Sequence, residues 1–165
     1  MEKRITKLEV ILAVFLLFIP LVLIAVNGEI RESISDYAYA NHNYFFVLLL
    51  AVAGCLFLYN GTIYGKKWYN IALGLSLFAV AVTPHQDYPV LHYLSAGIFF
   101  FGSMATMIIF SSAAQRELKI VLGTLIIIAL SGHYFFDLYS LLYAEWIGLL
   151  PISIHFIGKR LKKFD

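Results

Sequence analysis

Charge is scarce in this 165-residue sequence: Asp, Glu, Lys and Arg make up 13% of it, against 61% hydrophobic residues. Soluble domains run nearer about a quarter charged and about half apolar. A chain this small has too much surface to cover with so few charges, so a water-soluble enzyme and a disordered tail are excluded. The net charge of +2 is too slight for a phosphate-backbone partner, which removes nucleic acid. One cysteine, Cys55, excludes an internal disulfide framework and a Cys-rich zinc module. No lysine lies in the middle of an apolar run, so there is no retinal Schiff base. No G-x-x-x-x-G-K-[ST] is present, so a nucleotide partner is unsupported.

What the chain has instead is apolar length, with a mean hydropathy of +0.83. Six runs approach the roughly 20 residues that a bilayer-crossing helix needs. They are Lys7–Val26, Tyr44–Tyr64, Trp68–Thr83, Val90–Ser111, Leu118–Phe136 and Leu138–Ile157. The third is short. Little chain remains outside them, which predicts one all-α domain over 1–165, an integral membrane bundle of six transmembrane helices. The first run has Lys3, Arg4 and Lys7 ahead of it but no small-x-small cleavage site after Val26, so it reads as a retained helix and not a secretory signal.

Charge placement sets the expected orientation. With both termini cytoplasmic, the inner segments hold Lys3, Arg4, Lys7, Lys66, Lys67, Arg116, Lys119, Lys159, Arg160, Lys162 and Lys163, leaving only Arg31 outside. That asymmetry is the positive-inside pattern. The expected location is a multi-pass protein of a bacterial inner membrane.

The other polar groups sort the opposite way. Glu29, Glu32 and Asp36 fall in the first outer loop, and His42 opens the second helix. His85 and Asp87 lie in the second outer loop, and His92 one turn into the fourth helix. His133 and Asp137 sit at the hairpin between the fifth and sixth helices, and Glu145 two turns into the sixth. The loop carboxylates and His42 and His85 read as ordinary solvated surface. His92 and Glu145 are different, because an ionisable group inside the hydrocarbon is costly and normally has a partner or a task. His133 and Asp137 are four apart and would share a face of continuous helix. With His92 they would offer two imidazoles and a carboxylate, a ligand set that suits a catalytic zinc. Ser33, Ser35 and Asp36 either cap a short helix or turn or form a polar lid in which Arg31 holds an anionic headgroup. Gly61 with Gly65, and Ala96, Gly97 and Ser103 in the fourth helix, read as close helix-packing surfaces. Pro20 and Pro151 should kink the first and last helices.

The segment Ser33-Ile-Ser-Asp36, with Phe46 and Gly54 after it and His92-Tyr-Leu-Ser-Ala96 opening the fourth helix, resembles the DRAM/Frag class of six-span membrane proteins. Small bacterial members share the S-I-S-x-Y and H-x-x-S-A-x-x-F-F patterns, matched by Ser33–Tyr37 and His92–Phe100. The resemblance implies lipid handling at a non-cytoplasmic face. A weaker similarity is to the ceramidase-like membrane hydrolases, which bind zinc through His and Asp on several helices. Their H-x-x-x-H pair is absent, and His133 with Asp137 stands in its place.

Two functions follow as expectations. In the first, a lipid-facing pocket hydrolyses a lipid ester or amide, with zinc on His92, His133 and Asp137, Glu145 or Asp36 taking the proton, and Arg31, Ser33 and Ser35 holding the substrate. In the second, the same polar groups satisfy one another in a non-catalytic subunit that binds membrane lipids, a second copy or a membrane partner. A proton-coupled carrier using Glu145 and His92 is disfavoured by the absence of an internal repeat and of polar residues continuing through the inner half.

Overall fold

The computed structural model describes residues 2–63 and 67–160, with side chains from 8 to 63 and from 67 to 159. The described chain is helical throughout. The helices are α1 (Glu2–Asn27), α2 (Asn43–Ile63), α3 (Trp68–Val82), α4 (Pro89–Ala105), α5 (Arg116–Tyr134) and α6 (Leu141–Arg160). A 3₁₀ turn, Ser35–Tyr39, interrupts the α1–α2 connection, and α4 runs on into a π-helical turn, Thr106–Phe110.

Five of the helical segments, Leu8–Asn27, Asn43–Ile63, Pro89–Phe110, Arg116–Tyr134 and Leu141–Lys159, are long and apolar enough to cross a membrane. The apolar α3 is shorter, at 15 residues. Gly28 ends α1 in a left-handed conformation (φ +70°), its N–H returning to the Ile24 carbonyl at 2.8 Å. Pro89 opens α4, where a missing N–H costs nothing. Pro20 and Pro151 lie inside α1 and α6 as expected.

Leu12, Leu16, Ile19 and Leu23 of α1 are buried, as are Phe46, Leu50, Ala53 and Phe57 of α2. Their spacings of three and four residues give each helix one inward face. The outward faces are also apolar: Ile11, Phe18 and Leu21 on α1 and Leu48 and Val52 on α2 are exposed. A bundle apolar both inside and outside is the pattern of helices solvated by lipid and not by water.

Packing runs round a ring. α2 lies broadly on α3, α3 on α4, α5 on α6, and α6 closes the ring on α1; α4 and α5 meet less extensively. The α2–α3 contact is the tightest. A Cβ on Gly74 would lie 2.8 Å from the Gly54 carbonyl oxygen, and one on Gly61 would lie 2.7 Å from the Ile71 side chain. Small residues here let two backbones touch. Gly61 thus has the packing role read from sequence, while its partner Gly65, together with Tyr64 and Lys66, lies outside the described residues. So do Lys162, Lys163 and the side chains of Lys3, Arg4, Lys7 and Arg160.

Candidate functional site

The α1–α2 connection folds into a lid over one end of the bundle because its sequence supplies its own cap. The Ser33 Oγ accepts the Asp36 N–H at 3.0 Å, and Asp36 Oδ2 accepts the Ser33 N–H at 2.9 Å. This is a reciprocal capping box spread over Ser33-Ile-Ser-Asp36. Ser33 Oγ also pairs with Ser35 Oγ at 2.9 Å. Below them Tyr37 is fully buried and donates its hydroxyl to the Glu29 carbonyl at 2.8 Å.

Two long-range bonds clamp this lid to α6. The Ile34 N–H donates to Glu145 Oε2 at 2.7 Å, and the Leu142 N–H donates to the Glu32 carbonyl at 2.6 Å. The second satisfies one of the free N–H groups that open any helix. On the other flank, His85 Nε2 lies 3.3 Å from Asp36 Oδ1, and the Tyr39 hydroxyl accepts the Gln86 N–H at 2.8 Å. The lid therefore touches α6 and the α3–α4 loop together.

Three histidines surround the space beneath it. His92, in the first turn of α4 and 2% exposed, donates Nδ1–H to the Thr83 carbonyl at 2.6 Å. His133, in the last turn of α5, does the same to the Tyr139 carbonyl at 2.8 Å. A carbonyl can only accept, so both rings carry hydrogen on Nδ1, and in the neutral ring Nε2 is an acceptor. His85 is the mirror case: Nε2 faces Asp36, and Nδ1 is buried without a hydrogen-bond partner.

Three neighbouring cavities there share lining residues. A vestibule of about 290 Å³ is lined by Glu32, Ser33, Ser35, Asp36, His85, Tyr93, His133 and Leu141. It shares Ser35, Tyr93 and Leu141 with a crevice of about 330 Å³ between α4 and α5. The crevice walls are Ala96, Gly97, Phe100 and Phe101 on α4 and Ile127, Leu130, Ser131, Tyr134 and Phe135 on α5, with Glu145 of α6 at its back. A small recess of about 50 Å³ also has His92 and Glu145 in its lining, together with core residues such as Leu16, Phe46 and Leu77. Gly123 of α5 packs closely on Met104 of α4 and on Ile108 of the π turn.

The structure thus brings Glu145, His92 and Ser35 together in the crevice, and Ser33, Asp36 and His133 in the vestibule. It does not bring Arg31 or Asp137 there. The Arg31 guanidinium is held by Glu29 Oε1 at 2.6 and 2.8 Å and donates to the Asp36 carbonyl at 3.3 Å. Asp137 is exposed and lies beyond the end of α5, in a left-handed conformation (φ +49°) that turns the chain towards α6. The i, i+4 rule needs a helix running through both residues, and α5 stops at Tyr134. Among the described residues no three His, Cys, Asp or Glu side chains are grouped to hold a metal ion, so the donors present do not fit the zinc set of His92, His133 and Asp137.

Some features had no signal in the sequence reading. His85 reads from sequence as loop surface, yet it lines the vestibule, and Tyr93 and Tyr134, which the sequence does not single out, line the space as well. Gly97 was read as a packing residue; a Cβ there would meet nothing nearer than Phe101 at 3.9 Å, because it faces the open crevice. The opposite end of the bundle is also more polar than read. Lys119 and His155 are buried there, Lys159 Nζ lies 3.8 Å from Glu9 Oε1, and Asn70 Nδ2 donates to Asn60 Oδ1 at 2.8 Å.

No curated protein matches this chain, and no solved structure does. One family matches residues 18–160, nearly the full length, and it is described as a family of unknown function (DUF7103). The chain belongs to that family.

Proposed function

We propose that this protein is a multi-pass membrane protein, both termini cytoplasmic, that takes up one lipid from the extracytoplasmic leaflet through the crevice between α4 and α5. The observation that carries this is a single lining that is apolar and polar at once. The crevice is walled by Phe100, Phe101, Ile127 and Leu130 and also has Glu145, His92 and Ser35 in its lining. Its 330 Å³, with the adjoining 290 Å³, falls in the range of about 300–1,000 Å³ typical of small-molecule sites. A hydrocarbon tail would fill the crevice and the polar end would sit under the lid. The basic residues gather at the opposite end, which orients the lid outward. The resemblance to the DRAM/Frag class points the same way.

Native mass spectrometry of the protein extracted with its lipid tests this. Gly97→Trp fills the crevice from a position where a side chain meets no backbone. Wild type should retain lipid and Gly97→Trp should lose it; equal retention by both would overturn the proposal.

A further inference from the structure

The polar end of this space has a consistent chemistry. Among the described residues, none that line the vestibule, crevice or recess is a lysine or arginine. Glu32, Asp36 and Glu145 are the carboxylic residues lining it, and Arg31, the cation nearest in sequence, is held off by Glu29. The imidazoles add to this in a direction that charge alone would not require. His92 is 2% exposed, its Nδ1 is fixed on Thr83, and its ring borders the crevice, which leaves Nε2 as an acceptor there. His133 is fixed in the same sense, by the Tyr139 carbonyl. The lining among the described residues therefore holds no lysine or arginine, Glu32 and Asp36 give it negative charge, and His92 adds an acceptor. An anionic phosphate is a poor match for such a surface, since it too brings only acceptors and negative charge. A group that brings N–H donors and positive charge matches both properties, because charge-assisted bonds are the strong ones.

Building on the proposed crevice, we infer that the vestibule selects a primary ammonium group carried on a hydrocarbon tail. Phosphatidylethanolamine and a simple long-chain alkylamine share that chemistry. In the phospholipid, the ammonium would reach Asp36 and Glu32 while the phosphate stays outside the lined space.

The test uses the full chain in detergent, delipidated and then offered phosphatidylethanolamine, phosphatidylcholine, phosphatidylglycerol or octadecylamine, with binding read by native mass spectrometry. Phosphatidylethanolamine should bind at least about tenfold more tightly than phosphatidylglycerol and than phosphatidylcholine, whose methylated nitrogen has the charge but no N–H to donate. Octadecylamine binding equally well would identify the amine as sufficient, and binding of phosphatidylethanolamine alone would identify the phospholipid; either supports the inference. Glu32→Gln, on an exposed side chain that the fold does not need, should cut the preference several-fold. Asp36→Asn should do so too, provided its melting temperature shows that the lid still forms. Equal binding of all four lipids, lost in Gly97→Trp, would overturn the headgroup inference and leave the crevice standing. Binding unaffected by Gly97→Trp would overturn both.

Discussion

Glu145 and Ile34 are 111 residues apart in the chain and 2.7 Å apart in space, the carboxyl of α6 accepting the backbone N–H of the lid. The bond is part-buried, so its loss leaves a backbone donor with little access to water.

Glu145→Ala should therefore destabilise the protein by about 1–3 kcal/mol, the cost of an unsatisfied buried group. Glu145→Gln keeps an oxygen acceptor and should cost less than half as much. Thermal melts in detergent distinguish the two, and equal losses would mean that the acceptor is not what α6 supplies to the lid.

The Ser33–Asp36 capping box gives a more local expectation. Ser33→Ala removes the hydroxyl that accepts the Asp36 N–H and should cost about 1 kcal/mol. Hydrogen exchange should accelerate over Ser35–Tyr39 and stay unchanged in α2 and α3; uniform acceleration would contradict a local cap.

Gly74 and Gly97 should respond in opposite ways to the same added methyl. Gly74→Ala forces a Cβ to 2.8 Å from the Gly54 carbonyl oxygen and should cost about 1–3 kcal/mol or prevent folding. Gly97→Ala meets only the Phe101 ring at 3.9 Å and should fold as wild type. A stable Gly74→Ala would mean that α2 and α3 are further apart than described.

Burial raises the Tyr37 phenol above its ordinary pKa of 10.0. The folded state favours the neutral phenol, so this contribution to stability is full below about pH 10 and declines as the pH climbs towards the raised folded value. Tyr37→Phe gives up the hydrogen bond to the Glu29 carbonyl, at about 0.5–1.5 kcal/mol, but should flatten the alkaline decline relative to wild type. Parallel declines in melts from pH 9 to 11 would show that Tyr37 is not the group responsible.

Much of the site could be read from residue chemistry. Glu145 and His92 stood out because ionisable groups within apolar runs are expensive. The lid could be recognised because Ser-x-x-Asp is a capping pattern whatever surrounds it. The errors came where the reading assumed that a helix continues. His133 and Asp137 share a face only on an unbroken helix, and the left-handed turn at Asp137 leaves no mark on the residues before it. The crevice was illegible for a related reason. Gly97 and Gly74 are the same residue, and only what the fold places opposite each, open crevice for one and the Gly54 backbone for the other, makes one a wall and the other a contact. Lys119 and Lys159 fitted a rule about charge at membrane ends, which says nothing of whether a side chain is solvated or folded inward; both are inward.

The π-helical turn at Thr106–Phe110 carries a consequence for how α4 is built. A π turn holds one residue more than an α-helical turn, and one residue in an α-helix amounts to about 100° of rotation. Thr106–Phe110 follows Ala105, the last α-helical residue, and no α-helix continues beyond it, so the slower winding of the π turn sets only where the end of the helix points, laying Phe110 against the rings of Trp68 and Tyr69. Deleting one residue from this turn would swing Phe110 away from its aromatic neighbours, while the crevice wall stayed where it is.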